Sequence, residues 1–250
     1  MGFLVLENKL KDATLPTIRT LNDCQVRTIM ATGDNTLTAI SVGRNCGMLK
    51  ENVDVFLGEV NEGAILWQLA KAGSGIDEDS TGETRDIQRI SADGRQVPWE
   101  NFNGEYGVAL NGKTLAFLAS HREDYEVVLQ KVLLEASVYA RMSPDDKATL
   151  VELLQEATGE QIGMCGDGAN DCGALKQADA GISLSESEAS IAAPFTSKVQ
   201  DINCVITLLR EGRAALTTTF QAFKFIELYS MIQFFSVTGL YAVGSNLSDN

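Results

Sequence analysis

The feature that most constrains the fold is a repeated unit: a short apolar run, a turn rich in glycine and aspartate, and then a helical pattern. Two copies stand in the chain, as strand 26–30, turn 31–35 and helix 36–46, and as strand 161–165, turn 166–171 and helix 172–177. Strands that alternate with helices at this spacing form parallel sheets through βαβ units. The sequence therefore predicts an α/β fold, a Rossmann-like parallel sheet with helices on both faces.

Further elements are predicted from apolar runs, caps and turn residues. The expected strands are 3–6, 53–57, 137–140 and 180–183, and the expected helices are 14–23, 123–135 and 144–157. Two apolar runs, 107–110 and 113–118, are joined by Asn111-Gly112, which is typical of a β-hairpin. Residues 73–105 are rich in Gly, Ser, Asp and Glu and are predicted to form a mobile surface insertion.

The C-terminal part of the chain has another pattern. Residues 199–243 contain no proline and only two glycines, which predicts one long helix. Its last part, 228–243, has 16 residues without a charge, fewer than the roughly 20 that span a bilayer. A start at Ala214 would reach that length but would include Lys224 and Glu227. We expect the residues from Ala214 onward to associate with membranes.

The charge balance limits the partners of the chain. Lys and Arg number 20 against 34 Asp and Glu, which gives a formal net charge of −14. Nucleic-acid phosphates require basic side chains, so no nucleic-acid partner is expected. Five cysteines without a CxxC motif argue against a disulfide framework or a zinc finger and favour a reducing compartment. Cys165 and Cys172 flank the second turn and are expected to serve packing.

The first turn, Thr32-Gly33-Asp34, is a candidate phosphate-binding loop. A threonine hydroxyl and the backbone N–H groups of a glycine turn suit phosphate oxygens, and the N-terminus of the following helix favours negative charge. An ordinary capped βα loop has the same residues, so this motif alone leaves both interpretations open.

Lys147 is a candidate site residue because of where its helix begins. Ser143 is expected to cap that helix and Pro144 to open it, which puts Lys147 in the first turn. A cation there opposes the helix dipole. A phosphate or a carboxylate would therefore have to favour the lysine, unless its side chain is simply solvated.

The second turn, Gly166-Asp167-Gly168-Ala169-Asn170-Asp171, crowds two carboxylates and one amide after an apolar strand. Such carboxylates repel one another unless a cation lies between them, and a small number of oxygen ligands suits Mg²⁺. Ligands bind at the carboxyl ends of strands in open α/β sheets. Thr32, Lys147 and the paired aspartates would together form a site that holds a phosphoryl group with Mg²⁺.

Three segments, 30–35, 141–147 and 164–176, together resemble the phosphorylation domain of P-type ATPases, which has the haloacid dehalogenase-like fold. The resemblance is to the fifth class of these pumps, subgroup B, the polyamine-transporting ATPase 13 family, and it includes 2–11, 180–198 and 211–216. It implies a phosphorylation domain over 1–200, with an insertion at about 60–135, and a stalk with a partial transmembrane helix over 201–250.

The resemblance also implies roles for the matching residues. The implied roles are catalytic for Thr32, Lys147 and Asp171, phosphate- or nucleotide-binding for Thr32, Gly33, Asp34 and Asn170, and metal-binding for Asp167 and Asp171. The implied cofactors are ATP and Mg²⁺. Membrane lipid, ATP and a polyamine or other cation are the implied partners. The implied location is an endomembrane such as the late endosome or lysosome, with this segment mostly on the cytosolic face.

One feature of the family is absent from the sequence. The family's nucleophile is the aspartate of an Asp-Lys-Thr-Gly-Thr segment, and no such segment occurs among the 250 residues. The resemblance implies a fragment of a cation- or polyamine-transporting ATPase that is inactive by itself. The alternatives are a non-catalytic truncated form and a soluble phosphatase of the same fold. Glu7 and Asn8, rather than an aspartate, follow the strand 3–6 and disfavour the phosphatase.

Overall fold

The computed structural model describes residues 9–61, 63–71, 87–90, 96–185 and 191–244, so the strand expected at 3–6 lies outside the described residues. The chain divides into two compact units, residues 1–204 and 205–250. All the described strands belong to the first unit, and the second contains most of one long helix.

Six strands of the first unit form one sheet. They are β1 (Met30–Ala31), β2 (Asp54–Asn61), β3 (Ala64–Ala70), β4 (Ile87–Ile90), β5 (Tyr106–Asn111) and β6 (Val138–Ala140). Their order in the sheet is β1-β6-β5-β2-β3-β4. Neighbouring strands among β1, β6, β5 and β2 pair in parallel. β3 pairs antiparallel with β2, and β4 pairs antiparallel with β3.

Three further strands form a second, wholly parallel sheet. They are β7 (Gly163–Gly166), β8 (Ala180–Ser183) and β9 (Phe195–Thr196), in the order β7-β8-β9. The helices of the chain are α1 (Thr14–Asp23), α2 (Thr36–Asn45), α3 (Gly112–Ser120), α4 (Arg122–Glu135), α5 (Pro144–Thr158), α6 (Cys172–Gln177) and α7 (Asn203–Ala242). The predicted α/β fold with a mostly parallel sheet is confirmed.

Alternating side chains of the central strands cover both faces of the larger sheet. Val108 and Leu110 of β5 pack in one apolar cluster with residues of α3, α4 and α5. Ala109 packs in a second cluster with Ala39 and Ile40 of α2. Successive strand residues point to opposite faces, so the helices lie on both sides of this sheet, as the sequence predicts.

The hairpin expected at 107–118 is wrong. β5 is a parallel strand between β2 and β6, and residues 112–120 form α3. Asn111 acts as a helix cap rather than as a turn residue, because its side chain accepts a hydrogen bond from the Thr114 N–H at 2.8 Å. Both edges of β5 are already paired, which leaves no edge for a hairpin partner.

The segment expected to be a surface insertion contributes in part to the sheet and the core. β4 pairs with β3, and Trp99 is only 3% exposed. The rings of Trp67 and Trp99 meet edge to face, with their centroids 4.8 Å apart. Gly58 makes room for Trp67, because a Cβ at that position would lie 2.8 Å from the Trp67 ring. The polar composition of residues 73–105 does not indicate that Trp99 is buried.

α7 is a single helix of 40 residues, in agreement with the predicted long helix. Large apolar side chains such as Phe220, Phe223 and Phe235 are exposed along it. In the part of the chain that the structure describes, no helix has both the length and the apolar content needed to cross a bilayer. Glu227 and Gln233 interrupt the apolar sequence of α7.

Candidate functional site

The loop after β1 closes on itself through two short-range hydrogen bonds. The Thr32 hydroxyl donates to Asp34 Oδ2 at 3.1 Å and accepts from the Asp34 N–H at 3.2 Å. Asn35 caps α2 by accepting from the Leu37 N–H at 3.1 Å. Gly33 and Asp34 are exposed, so this loop presents its backbone and one carboxylate to solvent at the N-terminus of a capped helix.

Backbone hydrogen bonds hold this loop against the segment that precedes α5. The Arg141 N–H donates to the Asp34 carbonyl and the Met142 N–H donates to the Thr32 carbonyl, both at 2.9 Å. Arg141 has a φ of 50°, a conformation that costs free energy in a residue other than glycine and is maintained by surrounding contacts. The candidate phosphate loop therefore lies beside the start of the helix that carries Lys147.

A capping box fixes the first turn of α5. The Ser143 hydroxyl accepts from the Asp146 N–H at 3.2 Å, and Asp146 Oδ2 accepts from the Ser143 N–H at 2.9 Å. Sequence reasoning assigned the cap to Ser143 but overlooked Asp146. An acidic residue three positions after the capping serine was the signal that could have revealed it.

Lys147 is paired with a carboxylate of the second turn. Its Nζ lies 2.8 Å from Asp171 Oδ1, and the two side chains are only 13% and 11% exposed. A cation in the first turn of a helix is unfavourable unless an anion compensates it. Asp171 supplies that anion, so the structure brings together two of the residues that the sequence singles out.

Asp171 lies over the end of β7. A Cβ at Gly166 would be 2.5 Å from Asp171 Oδ2, a distance that no side chain at that position could satisfy. Glycine is therefore required at the end of β7 for the carboxylate to take this position. Asp167 and Asn170, in the same turn, are exposed.

These contacts link the predicted site residues pair by pair and do not join all of them directly to one another. The Thr32 loop bonds to residues 141–142, and the helix that follows carries Lys147, which bonds to Asp171. Among the described residues, no hydrogen bond or ion pair joins Thr32 to Asp167. The convergence of these two side chains on one ligand stays a prediction.

The donor set of the second turn is compatible with Mg²⁺. This ion takes one or two protein carboxylates and completes its octahedral shell with water and substrate phosphate. Asp167 offers an exposed carboxylate, and Asp171 keeps one oxygen that is not bonded to Lys147. The described residues hold no group of three or more metal-ligating side chains, so a site confined to protein ligands is not present there.

The two cysteines that flank this turn differ in their surroundings. Cys172 packs against the small apolar cluster of Leu175, Ala192 and Ala193. Burial raises the pKa of Cys165 to about 12, and the nearby Cys204 adds to the shift. This influence of Cys204 was not anticipated from the sequence, because 38 residues separate the two cysteines.

Relatives of this chain are found among cation-transporting ATPases. It is 46% identical over 255 residues to the polyamine-transporting ATPase 13A3 of Mus musculus. It is 45% identical over 252 residues to the vacuolar cation-transporting ATPase YPK9 of Saccharomyces cerevisiae. It is 41% identical over 257 residues to the cation-transporting ATPase catp-5 of Caenorhabditis elegans. No family model matches the chain.

These similarities include the whole of this chain but a small part of each relative. The three alignments cover 100% of the chain and between 17% and 20% of the relative. The chain thus spans about a fifth of the length of the curated relatives it matches. Over its whole length the chain is homologous to a segment of the P-type ATPases of the polyamine-transporting ATPase 13 family, the family that its motifs resemble.

Proposed function

We propose that this chain is part of a membrane ATPase that transports a cation or polyamine and forms an aspartyl phosphate from ATP. Its relatives, a polyamine-transporting and a vacuolar cation-transporting ATPase, support the general activity. The structural observation that carries the proposal is the nearly buried pair of Lys147 and Asp171 beside the Thr32 loop. A buried cation with a fixed position at the ends of parallel strands suits the stabilisation of phosphoryl oxygens.

Each residue has a distinct part in this proposal. Asp171 takes one of the three N–H donors of Lys147, which leaves two for the oxygens of a phosphoryl group. Thr32, Gly33 and Asp34 contact the phosphate or nucleotide, together with Asn170. Mg²⁺, when bound, offsets negative charge on the phosphoryl oxygens. Asp167 and the free oxygen of Asp171 are the protein groups that would hold it.

The nucleophile would come from a segment that is not among these 250 residues. Within the described residues, β1 pairs with β6 alone and β7 pairs with β8 alone, so each has one unpaired edge. Both strands lead into the turns that hold the site residues. A parallel strand added at these edges would bring its own carboxyl end, and an aspartate there, to the same turns.

A chimera tests the catalytic proposal. The 250 residues replace the aligned segment of the yeast vacuolar ATPase, to which the chain is 45% identical, and phosphoenzyme formation from radiolabelled ATP is measured. We expect an acid-stable, hydroxylamine-sensitive phosphoenzyme that Asp167→Asn and Lys147→Ala reduce strongly. Lys176→Met, a change at an exposed lysine of α6, is the matched control and should leave it intact.

Two results would contradict the proposal. One is a chimera that is produced at the level of the parent but never becomes phosphorylated. The other is phosphorylation by ATP of the isolated 250-residue chain, because the proposal assigns the nucleophile to another segment. Loss of phosphoenzyme in Lys176→Met as well would show that the variants act through folding rather than through the site.

We also propose that the exposed apolar side chains of α7 contact lipid. Phe220, Phe223 and Phe235 are each more than half exposed. Burial of such surface in an apolar phase is favourable. The purified chain should co-sediment with phosphatidylcholine vesicles, and replacement of these three residues by serine should reduce the bound fraction. Full recovery of the unsubstituted chain in the supernatant would overturn this part of the proposal.

A further inference from the structure

One glycine allows the chain before α5 to pack closely against the start of α3. Gly112 is the first residue of α3 and is buried. A Cβ at this position would lie 2.8 Å from the Arg141 carbonyl oxygen, 2.8 Å from Asp146 Oδ2 and 3.2 Å from the Met142 Cα. Gly112 is thus in close contact with residues 141–146, which we call the connecting segment.

The register of the larger sheet brings these groups together. β5 and β6 pair in parallel with Asn111 opposite Ala140, so the next residues, Gly112 and Arg141, leave the sheet side by side. The φ of Gly112 lies outside the left-handed region, so alanine could adopt the same backbone conformation. The need for glycine at this position therefore comes from the lack of space for a side chain.

The connecting segment holds the Thr32 loop through its backbone. The Arg141 N–H donates to the Asp34 carbonyl at 2.9 Å. The Met142 N–H donates to the Thr32 carbonyl, also at 2.9 Å. This N–H and the Arg141 carbonyl that Gly112 contacts belong to one planar peptide unit. A shift of that carbonyl would therefore move the N–H that bonds to Thr32.

Asp146 connects the same glycine to α5. Its Oδ2, which lies close to Gly112, accepts from the Ser143 N–H at 2.9 Å and from the Ser143 hydroxyl at 2.7 Å. These bonds belong to the cap that fixes the first turn of α5. Lys147 is the next residue in that turn, and its Nζ lies 2.8 Å from Asp171 Oδ1. Displacement of Asp146 would therefore move the backbone that carries the ammonium group.

We propose that Gly112 is a positioning residue for phosphoryl transfer, because it lets the connecting segment hold the Thr32 loop and Lys147 in one arrangement. This inference rests on the proposed function. Gly112 acts through the Arg141 carbonyl and the Asp146 carboxylate and does not itself contact a phosphate. A displacement of about 1 Å in groups that orient a reaction can lower its rate about a hundredfold.

Amide hydrogen exchange of the 250-residue chain, followed by NMR, tests the contact without any need for activity. In Gly112→Ala, the amides of Arg141 and Met142 should exchange about tenfold faster, because overpacking weakens their bonds to the Thr32 loop. The amides of β2 should keep their protection, which distinguishes a local shift from general destabilisation. Unchanged exchange at Arg141 and Met142 would overturn the proposal.

A matched control comes from another buried-sheet glycine position with room for a methyl group. Gly163 is the first residue of β7, and the nearest atom to a Cβ there is the Ala180 carbonyl oxygen at 3.7 Å. Gly163→Ala should leave the exchange of the Arg141 and Met142 amides unchanged. Faster exchange of these amides in Gly163→Ala as well would overturn the assignment of the effect to Gly112.

The chimera with the yeast ATPase tests the consequence for the reaction. Gly112→Ala should lower the rate constant of phosphoenzyme formation at saturating ATP by about tenfold or more. A folding defect would instead lower the amount of phosphoenzyme and leave the rate constant of the folded molecules unchanged. Gly163→Ala should keep the rate constant of the unsubstituted chimera.

The outcomes for Gly112 and for the proposed function can be told apart. A normal rate constant in Gly112→Ala, together with a strong loss in Lys147→Ala, would overturn the positioning role and leave the proposed function intact. An unsubstituted chimera that is never phosphorylated would contradict the proposed function and, with it, the role of Gly112 in the reaction.

Discussion

Lys147 Nζ and Asp171 Oδ1 lie 2.8 Å apart and join the first turn of α5 to the turn that follows β7. Both side chains are withdrawn from solvent, so water screens their attraction little. The same pairing holds Lys147 in place without a bound phosphate. The ammonium group of Lys147 is thereby preorganised. The free-energy cost of fixing its position is met during folding and not when a ligand binds.

Lys147→Met should destabilise the chain. Removal of one partner leaves the carboxylate of Asp171 buried without its cation, which costs about 3–5 kcal/mol in comparable pairs. Urea unfolding, followed by circular dichroism, measures the loss. Lys176→Met at an exposed site should stay within about 0.5 kcal/mol of the unsubstituted chain.

The double variant Lys147→Met with Asp171→Leu separates charge from packing. It should recover part of the lost free energy of unfolding, because no unpaired charge is then buried. If the single and double variants lose the same free energy of unfolding, the ion pair is not the source of the effect.

Gly166→Ala should disturb the site more than Gly168→Ala. A Cβ at position 166 would lie 2.5 Å from Asp171 Oδ2, whereas the nearest atom to a Cβ at 168 is the Asn170 nitrogen at 3.8 Å. Overpacking of this kind costs about 1–3 kcal/mol. Thermal unfolding compares the two variants, and equal stability would show that Asp171 can move aside without cost.

Trp99→Ala should be among the most destabilising changes in the larger core. This side chain is 3% exposed and contacts Trp67 and Phe56, and aromatic-to-alanine changes in cores cost about 3–5 kcal/mol. Trp99→Phe should cost less, because it keeps a ring and removes a buried Nε1–H that has no hydrogen-bond partner among the described residues. Tryptophan fluorescence during urea unfolding ranks the two variants, and the reverse order would contradict the packing described above.

Asp179 should make the stability of the chain depend on pH in the acid range. Hydrogen bonds from the Gln155 side chain and from the Ile162 N–H lower the pKa of this carboxyl group. The unfolded chain therefore takes up a proton at higher pH than the folded chain does. The stabilisation is present above the unfolded pKa of about 3.9 and is lost as the pH falls through the lower folded pKa.

The pH prediction is checked with a matched pair of variants. Unfolding midpoints in urea are compared at pH 7 and pH 3 for the unsubstituted chain, Asp179→Asn and Asp23→Asn. The first variant should lose less stability on acidification than the unsubstituted chain, and the second should follow it, because Asp23 is exposed at the end of α1. The same acid dependence in all three proteins would exclude the proposed role of Asp179.

Local signals predicted most of the elements around the site. The bounds of α1, α6 and β8 follow from apolar periodicity and caps, because these elements satisfy their own hydrogen bonds or pair with a neighbour in sequence. The need of Lys147 for an anion could likewise be read from its place in a first helical turn. Its partner, 24 residues further on, could not be identified in this way.

Where prediction failed, tertiary contacts decided the outcome. Asn111-Gly112 suits a two-residue turn, but β5 is paired on both edges, and Asn111 instead caps α3. Trp99 lies in a segment of low periodicity, and it is buried against Phe56 of β2 and Trp67 of β3, which are distant in sequence. Such long-range burial overrides local propensity and leaves no periodic trace in the sequence.

The position of β4 in the larger sheet bears on how this protein can diverge. Four strands separate β4 from β1, which leads into the Thr32 loop. β4 thus forms the edge of the larger sheet that is farthest from β1. A change of chain length next to β4 should therefore leave the pairing of β1 with β6, and the Thr32 loop that follows β1, in place.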